Sequence, residues 1–186
     1  IFNYLNEKNK HFNTLDIKYN KSISYYSDTV RYILLYNYGG CWFDLDIFFL
    51  KSFKPIFKTF EDKVCVYQWE RCNMPNGAIF ISLNKEDTRL KSAIEYIVER
   101  NNGWGFQEAK MTYNFPLDFY VLPCSWFDPA WINNTENFKI EHFFEKNNKK
   151  YNLKSFFPHS FCYHWHNQWK KEIKEGSVIS DLYSEL

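Results

Sequence analysis

The chain has 186 residues, 24% of them charged, and a formal net charge of +1; that is one domain's worth of core, with no overall field to attract nucleic acid or an anionic membrane. Aromatic side chains make up 22% of it (19 Phe, 14 Tyr and 7 Trp), so most of them must be core, and specific binding has to come from a local site. No run of about twenty apolar residues occurs, so no transmembrane segment is expected, and Cys41, Cys65, Cys72, Cys124 and Cys162 have no C-x-x-C spacing, which argues against a zinc site and for reduced thiols in a cytoplasmic setting.

Residues 1–26 carry no strong period. Residues 27–38 read as a helix: Ser27 is a good N-cap, Asp28 places a carboxylate in the first turn, and Val30, Ile33, Leu34 and Tyr38 recur at helical spacing. Gly39 and Gly40 supply the backbone freedom to stop the helix and turn. Residues 41–50 then form an apolar run suited to a central strand, interrupted only by Asp44 and Asp46. Alternation in a strand would point both carboxylates to one face, where they repel and lose hydration unless a cation compensates. Oxygen ligands of this kind suit Mn²⁺ or Mg²⁺, which complete their shells from water and substrate phosphates. The bland alternative is a strand that bends outward at Asp44 and leaves both carboxylates in water.

Further on, Lys54 and Pro55 end the strand and begin a connection. Residues 64–68 and 77–82 read as paired strands with a polar turn between them. Asn76, just before Gly77 and Ala78, is either a turn asparagine or a donor-facing side chain. Residues 84–101 predict an amphipathic helix with Asn84 as cap, Asp87 at the capping-box position and Leu90, Ala93, Ile94, Ile97 and Val98 on one face. Residues 119–123 read as a late strand. Asn133, Asn134 and Thr135 match a glycosylation triplet, a short motif with many chance occurrences. Near the end, His159, His164, His166, Trp165 and Trp169 crowd eleven residues; imidazole is a metal ligand and indole a partner for sugar or phosphate.

The order of Ser27, Asp28, Arg31, Tyr38, Gly39, Gly40, Asp44 and Asp46 resembles the sugar-binding region of DXD glycosyltransferases, a group that includes capsular-polysaccharide and mannosyl transferases. The resemblance implies a GT-A-like α/β fold, a mixed central sheet flanked by helices. Residues 1–186 would be one catalytic domain, a piece of a longer chain, whose N-terminal strand either lies upstream of Ile1 or has its function met differently. It implies transfer of a sugar from a UDP- or GDP-sugar to a glycan acceptor with Mn²⁺ or Mg²⁺, in a cytoplasmic enzyme held at a membrane through a segment outside this chain, or in the Golgi lumen of a eukaryote. Asp46 would be the principal metal carboxylate, with Asp44 assisting and also touching ribose or sugar. Asp28 and Arg31 would hold donor hydroxyls, Asn76 would face the donor sugar, and His164, or else His166, would complete the metal site beside Trp169. That last tract would close over the metal and diphosphate as a lid when donor binds. Gly103 to Phe106 depart from the family's Gly-Pro dipeptide, which leaves acceptor-side roles for Gly105, Gln107 and Glu108 unassigned. Two other classes remain open: a noncatalytic nucleotide-sugar-binding module, and a metal-dependent phosphoester hydrolase or nucleotidyltransferase.

Overall fold

The computed structural model describes residues 23–70, 74–100, 118–132, 143–146, 148–168 and 170–186. Helix α1 spans Ile23–Tyr38, so Ser27 and Asp28 lie inside it rather than at its start. The stop at Tyr38 falls where the glycines predict it. Gly39 N–H donates to Leu35 O at 2.8 Å, and its φ of +64° with a Cβ position only 2.4 Å from Leu83 O admits no other residue without strain.

The expected single strand over residues 41–50 is two strands. β1 (Gly40–Phe43) and β2 (Ile47–Phe49) are separated by a turn through Asp44, Leu45 and Asp46. The break has a pairing cause, because β1 pairs antiparallel with β4 (Met74–Ser82) whereas β2 pairs antiparallel with β6 (Cys162–His164) in a separate two-stranded sheet. The chain changes sheets across its two aspartates, which are poor strand formers. The reading of this segment as a central strand is therefore corrected: β1 stands at one edge of the four-stranded sheet described here, whose order is β1-β4-β3-β5, with β3 at Val64–Trp69 and β5 at Tyr120–Leu122. β5 runs parallel to β3 and the other pairings are antiparallel, so the sheet is mixed, and the fold is the α/β, GT-A-like class that the sequence implies.

Alternation along β3 and β4 sorts the core onto both faces of this sheet. Val64, Val66 and Phe80 pack with Tyr32, Ile33 and Leu35 of α1 and with Leu90, Ala93 and Ile94 of α3 (Thr88–Arg100). Burying a side chain such as Phe80 stabilises the fold by about 1.5–3 kcal/mol. On the opposite face Cys65, Tyr67, Ile79 and Ile81 meet Phe53, Ile56, Leu122, Phe127 and Cys162. Ile56 belongs to a short helix α2 (Lys54–Thr59), formed where the sequence suggests only a connection. A third apolar cluster, with Phe143, Phe156, Tyr163 and Val178, backs the small sheet and holds helix α4 (Val178–Tyr183). Cys41, Cys65 and Cys162 are thiols.

Helix α3 begins later than residue 84. Asp87, not Asn84, caps it: its Oδ1 accepts from Arg89 N at 2.9 Å, while Asn84 Nδ2 donates to Glu61 O at 3.2 Å. The β3–β4 register slips between Val66 and Tyr67, from Val66 opposite Phe80 to Tyr67 opposite Asn76, so Gly77, Ala78 and Ile79 bulge. Asn76 Oδ1 accepts from Ala78 N at 2.7 Å and steadies that bulge. No helix among the described residues is long and apolar enough to cross a membrane. The expected N-terminal strand, Cys72, residues 103–108, the Asn133 triplet and Trp169 lie outside the described residues.

Candidate functional site

The aspartate turn is anchored differently at its two ends. Asp44 N–H donates to Ala78 O at 2.8 Å, which ties the first aspartate to the β4 bulge. Its Oδ1 accepts from Trp42 Nε1 at 2.7 Å and lies 3.5 Å from Arg31 Nη2. Arg31 comes from α1, is buried, and also binds Asp28 Oδ1 at 2.7 Å; its guanidinium sits 5.4 Å from the centre of the Trp42 ring, a cation–π contact. Asp28, Arg31, Trp42 and Asp44 thus form one network in which a helix turn and a strand end share a cation. Burial raises the Asp28 pKa, opposed by Arg31 and assisted by Asp44. Both contacts on Asp44 fall on Oδ1, and its side chain keeps 28% of its exposure.

Asp46 is buried, with 3% of its surface exposed, whereas Leu45 between the two aspartates is 88% exposed. The turn therefore does bend outward, most at Leu45, with Asp44 partly exposed and Asp46 buried. Asp46 Oδ2 accepts from Asn167 N at 2.7 Å, its Oδ1 lies 3.3 Å from His164 Nε2, and its backbone oxygen accepts from Trp165 N at 3.0 Å. Burial works against the charge on Asp46, yet the hydrogen bonds from His164 and Asn167 leave its pKa lowered. The β2–β6 ladder, with Ile47 opposite His164, brings the two ends of this arrangement together across more than a hundred residues. His166 and Asn167 both adopt left-handed backbone, at φ 52° and 59°, and this tight turn aims Asn167 N–H back at Asp46.

The C-terminal tract reaches the aspartates through His164, which is buried and held in the β2–β6 ladder. Trp165 faces away, stacked on Phe144 with centroids 5.2 Å apart, and contributes to the third apolar cluster.

Sequence reasoning missed Asp128. It lies between two short 3-10 turns, Cys124–Trp126 and Pro129–Trp131, with no surface exposed. Its carboxylate meets Trp69 Nε1 at 2.8 Å, Tyr67 Oη at 3.3 Å, His166 Nε2 at 3.0 Å and His164 Nδ1 at 3.6 Å. The only signal in the sequence is an aspartate preceding a proline in an aromatic stretch, which reads as a turn. Burial would lower the His164 pKa, but hydrogen bonds to Asp128 and Asp46 outweigh it and raise the group to about 9. The same histidines hold Asp128 below the usual carboxylate range against its burial.

Ligand atoms of Asp44, Asp46 and His164 lie within 4.8 Å of one another, as do those of Asp128, His164 and His166. The first group fits a hard divalent cation: two carboxylates and one imidazole converge, and Asp44 opens the site to solvent. The second is closed, its carboxylate already met by indole, phenol and imidazole. Asn76 lies one bulge away from Asp44 and spends its amide oxygen on Ala78.

The two aspartates thus stand on the turn where the chain passes from the mixed four-stranded sheet to the two-stranded one. Residues 2–66 match the family described as the glycosyltransferase sugar-binding region containing DXD motif. The match spans about a third of the chain and includes Asp28, Arg31, Asp44 and Asp46 but not Asp128 or His164. No curated protein matches the sequence.

Proposed function

We propose that the protein is a metal-dependent glycosyltransferase that moves a sugar from a nucleotide-diphospho-sugar to a glycan acceptor. The observation that carries this reading is the convergence of Asp44, Asp46 and His164 within 4.8 Å, with both aspartates inside the matched sugar-binding region. Asp46, Asp44 and His164 Nε2 hold a divalent cation, Mn²⁺ or Mg²⁺. Such a cation supplies Lewis-acid neutralisation of the diphosphate as the bond to the anomeric carbon breaks.

The chain's own residues position the rest. Arg31 and Trp42 fix Asp44 Oδ1, which leaves its second oxygen for the cation or a donor hydroxyl. Asn167 N–H fixes Asp46 Oδ2, which holds the Asp46 carboxylate in orientation beside His164. Asp28 stands behind Arg31 and lines the donor side of the turn together with Asn76. Leu45 stands at the exposed tip of the turn.

The test is product analysis with UDP- and GDP-sugars, Mn²⁺ and a panel of glycan acceptors, for the native chain and for Asp46→Asn. Metal-dependent appearance of a glycosylated acceptor, lost in Asp46→Asn, is the expected result. Donor binding without turnover would replace this reading with a noncatalytic module, and donor-independent phosphoester cleavage would replace it with a hydrolase.

A further inference from the structure

His164 has two ring nitrogens, and the metal site proposed above can use only one. Its Nε2 faces Asp46 Oδ1 at 3.3 Å and its Nδ1 faces Tyr67 Oη at 3.1 Å. Tyr67 Oη also lies 3.3 Å from Asp128 Oδ2. A phenol has one proton to donate, and a carboxylate can only accept. The contact with Asp128 therefore claims the Tyr67 proton, which leaves the phenol oxygen as acceptor and requires His164 Nδ1 to carry the hydrogen between them. A phenol, with an ordinary pKa of about 10, is protonated at neutral pH. Asp128 is fixed in turn by Trp69 Nε1 at 2.8 Å and His166 Nε2 at 3.0 Å, both necessarily donors to it. Tyr67 is wholly buried on β3, between Phe127 and the sheet, and cannot swing away.

The geometry points to Tyr67 and Asp128 as a positioning pair: the relay from His164 Nδ1–H to Tyr67 Oη to Asp128 fixes the imidazole tautomer so that Nε2 is the nitrogen delivered to the Asp44–Asp46 cation. Neither residue touches the cation or the donor. The inference rests on the metal-site reading above and adds to it the part that decides which imidazole nitrogen binds. Partners of this kind orient a ligating histidine and raise its basicity, and their loss costs about 10–100-fold in metal affinity.

The experiment is Mn²⁺ titration by calorimetry on the native chain, Asp46→Asn, Tyr67→Phe and Asp128→Asn, with thermal unfolding of each. Tyr67→Phe keeps the buried ring and removes only the hydroxyl; its Mn²⁺ affinity is expected to fall about 10-fold, and that of Asp128→Asn by about 10–100-fold. Should Asp128→Asn fail to fold, Trp69→Phe removes one anchor of the carboxylate and is expected to give a smaller loss in the same direction. The second readout is ¹⁵N histidine spectroscopy with Cd²⁺ as a diamagnetic probe: ligation through Nε2 in the native chain, and a mixture of ring nitrogens in Tyr67→Phe. Native-like affinity and pure Nε2 ligation in Tyr67→Phe, with Asp46→Asn inactive in binding, would overturn the positioning pair alone. Unchanged Mn²⁺ affinity in Asp46→Asn would overturn the metal site on which it rests.

Discussion

At the residue scale, Arg31 is where donor recognition and internal structure compete for one side chain. The motif alone suits a guanidinium reaching out to donor hydroxyls. In the fold it is buried, 2.7 Å from Asp28 and 3.5 Å from Asp44, with Ser27 O and Oγ each at 3.4 Å and Trp42 beneath it. A planar fork serves these partners at once, and a lysine ammonium cannot. Arg31→Lys is expected to lose about 1.5–3 kcal/mol of stability and to lose transfer activity in step, because the fork that bridges Asp28 and Asp44 and orients Asp44 is gone. Thermal and urea unfolding beside donor turnover check this. Full stability with turnover abolished would mean that the principal partner of Arg31 is the donor.

At the element scale, the N-terminus of α3 rests on one carboxylate. Asp87 caps the helix through Arg89 N at 2.9 Å and is clamped by the Arg89 side chain at 2.6 Å. The hydrogen bond from the Arg89 side chain, more than any other contact, lowers the Asp87 pKa below the usual carboxylate value. A group depressed in the folded state contributes stability above its unfolded pKa, and that contribution disappears as pH falls through the folded pKa. Asp87→Ala is therefore expected to cost about 1 kcal/mol at neutral pH, with the difference from the native chain shrinking toward zero in strong acid. Unfolding curves across that range test it; a gap independent of pH would mean that the cost comes from packing rather than from the charged cap.

The elements also mark where the sequence was legible. The helix stop at Gly39, the β3–β4 pairing, the Leu90, Ala93 and Ile94 part of the apolar face of α3, and β5 follow from local periodicity and turn chemistry, and all are present. The ends of the two helices did not follow as well: Ser27 and Asn84 are good caps in isolation, but α1 already covers Ser27 and Asp87 takes the cap of α3. The split between β1 and β2 was hidden because Cys41 to Leu50 is apolar at eight of ten positions, and period alone cannot reveal that one half pairs with β4 and the other with β6. Asp128 was illegible for the same reason, since its partners Trp69, Tyr67, His164 and His166 are distant in sequence and meet only through the two sheets.

At the scale of the whole molecule, the fold brings together two small units of chemistry that the chain keeps apart. The four-stranded sheet and α1 deliver Asp44 with Arg31, and the two-stranded sheet delivers Asp46 with His164. Joining them costs conformational entropy of the intervening chain, which the apolar clusters on both faces of the larger sheet and behind the smaller one offset. The central claim is that this junction is a divalent-cation site. Its most direct test is anomalous diffraction at the manganese edge from crystals grown with Mn²⁺ and a nucleotide diphosphate. The account predicts one strong peak within coordination distance of Asp44, Asp46 and His164 Nε2, with the diphosphate oxygens completing the shell. A fully bound nucleotide with no manganese peak at that junction, or with the peak elsewhere, would contradict it.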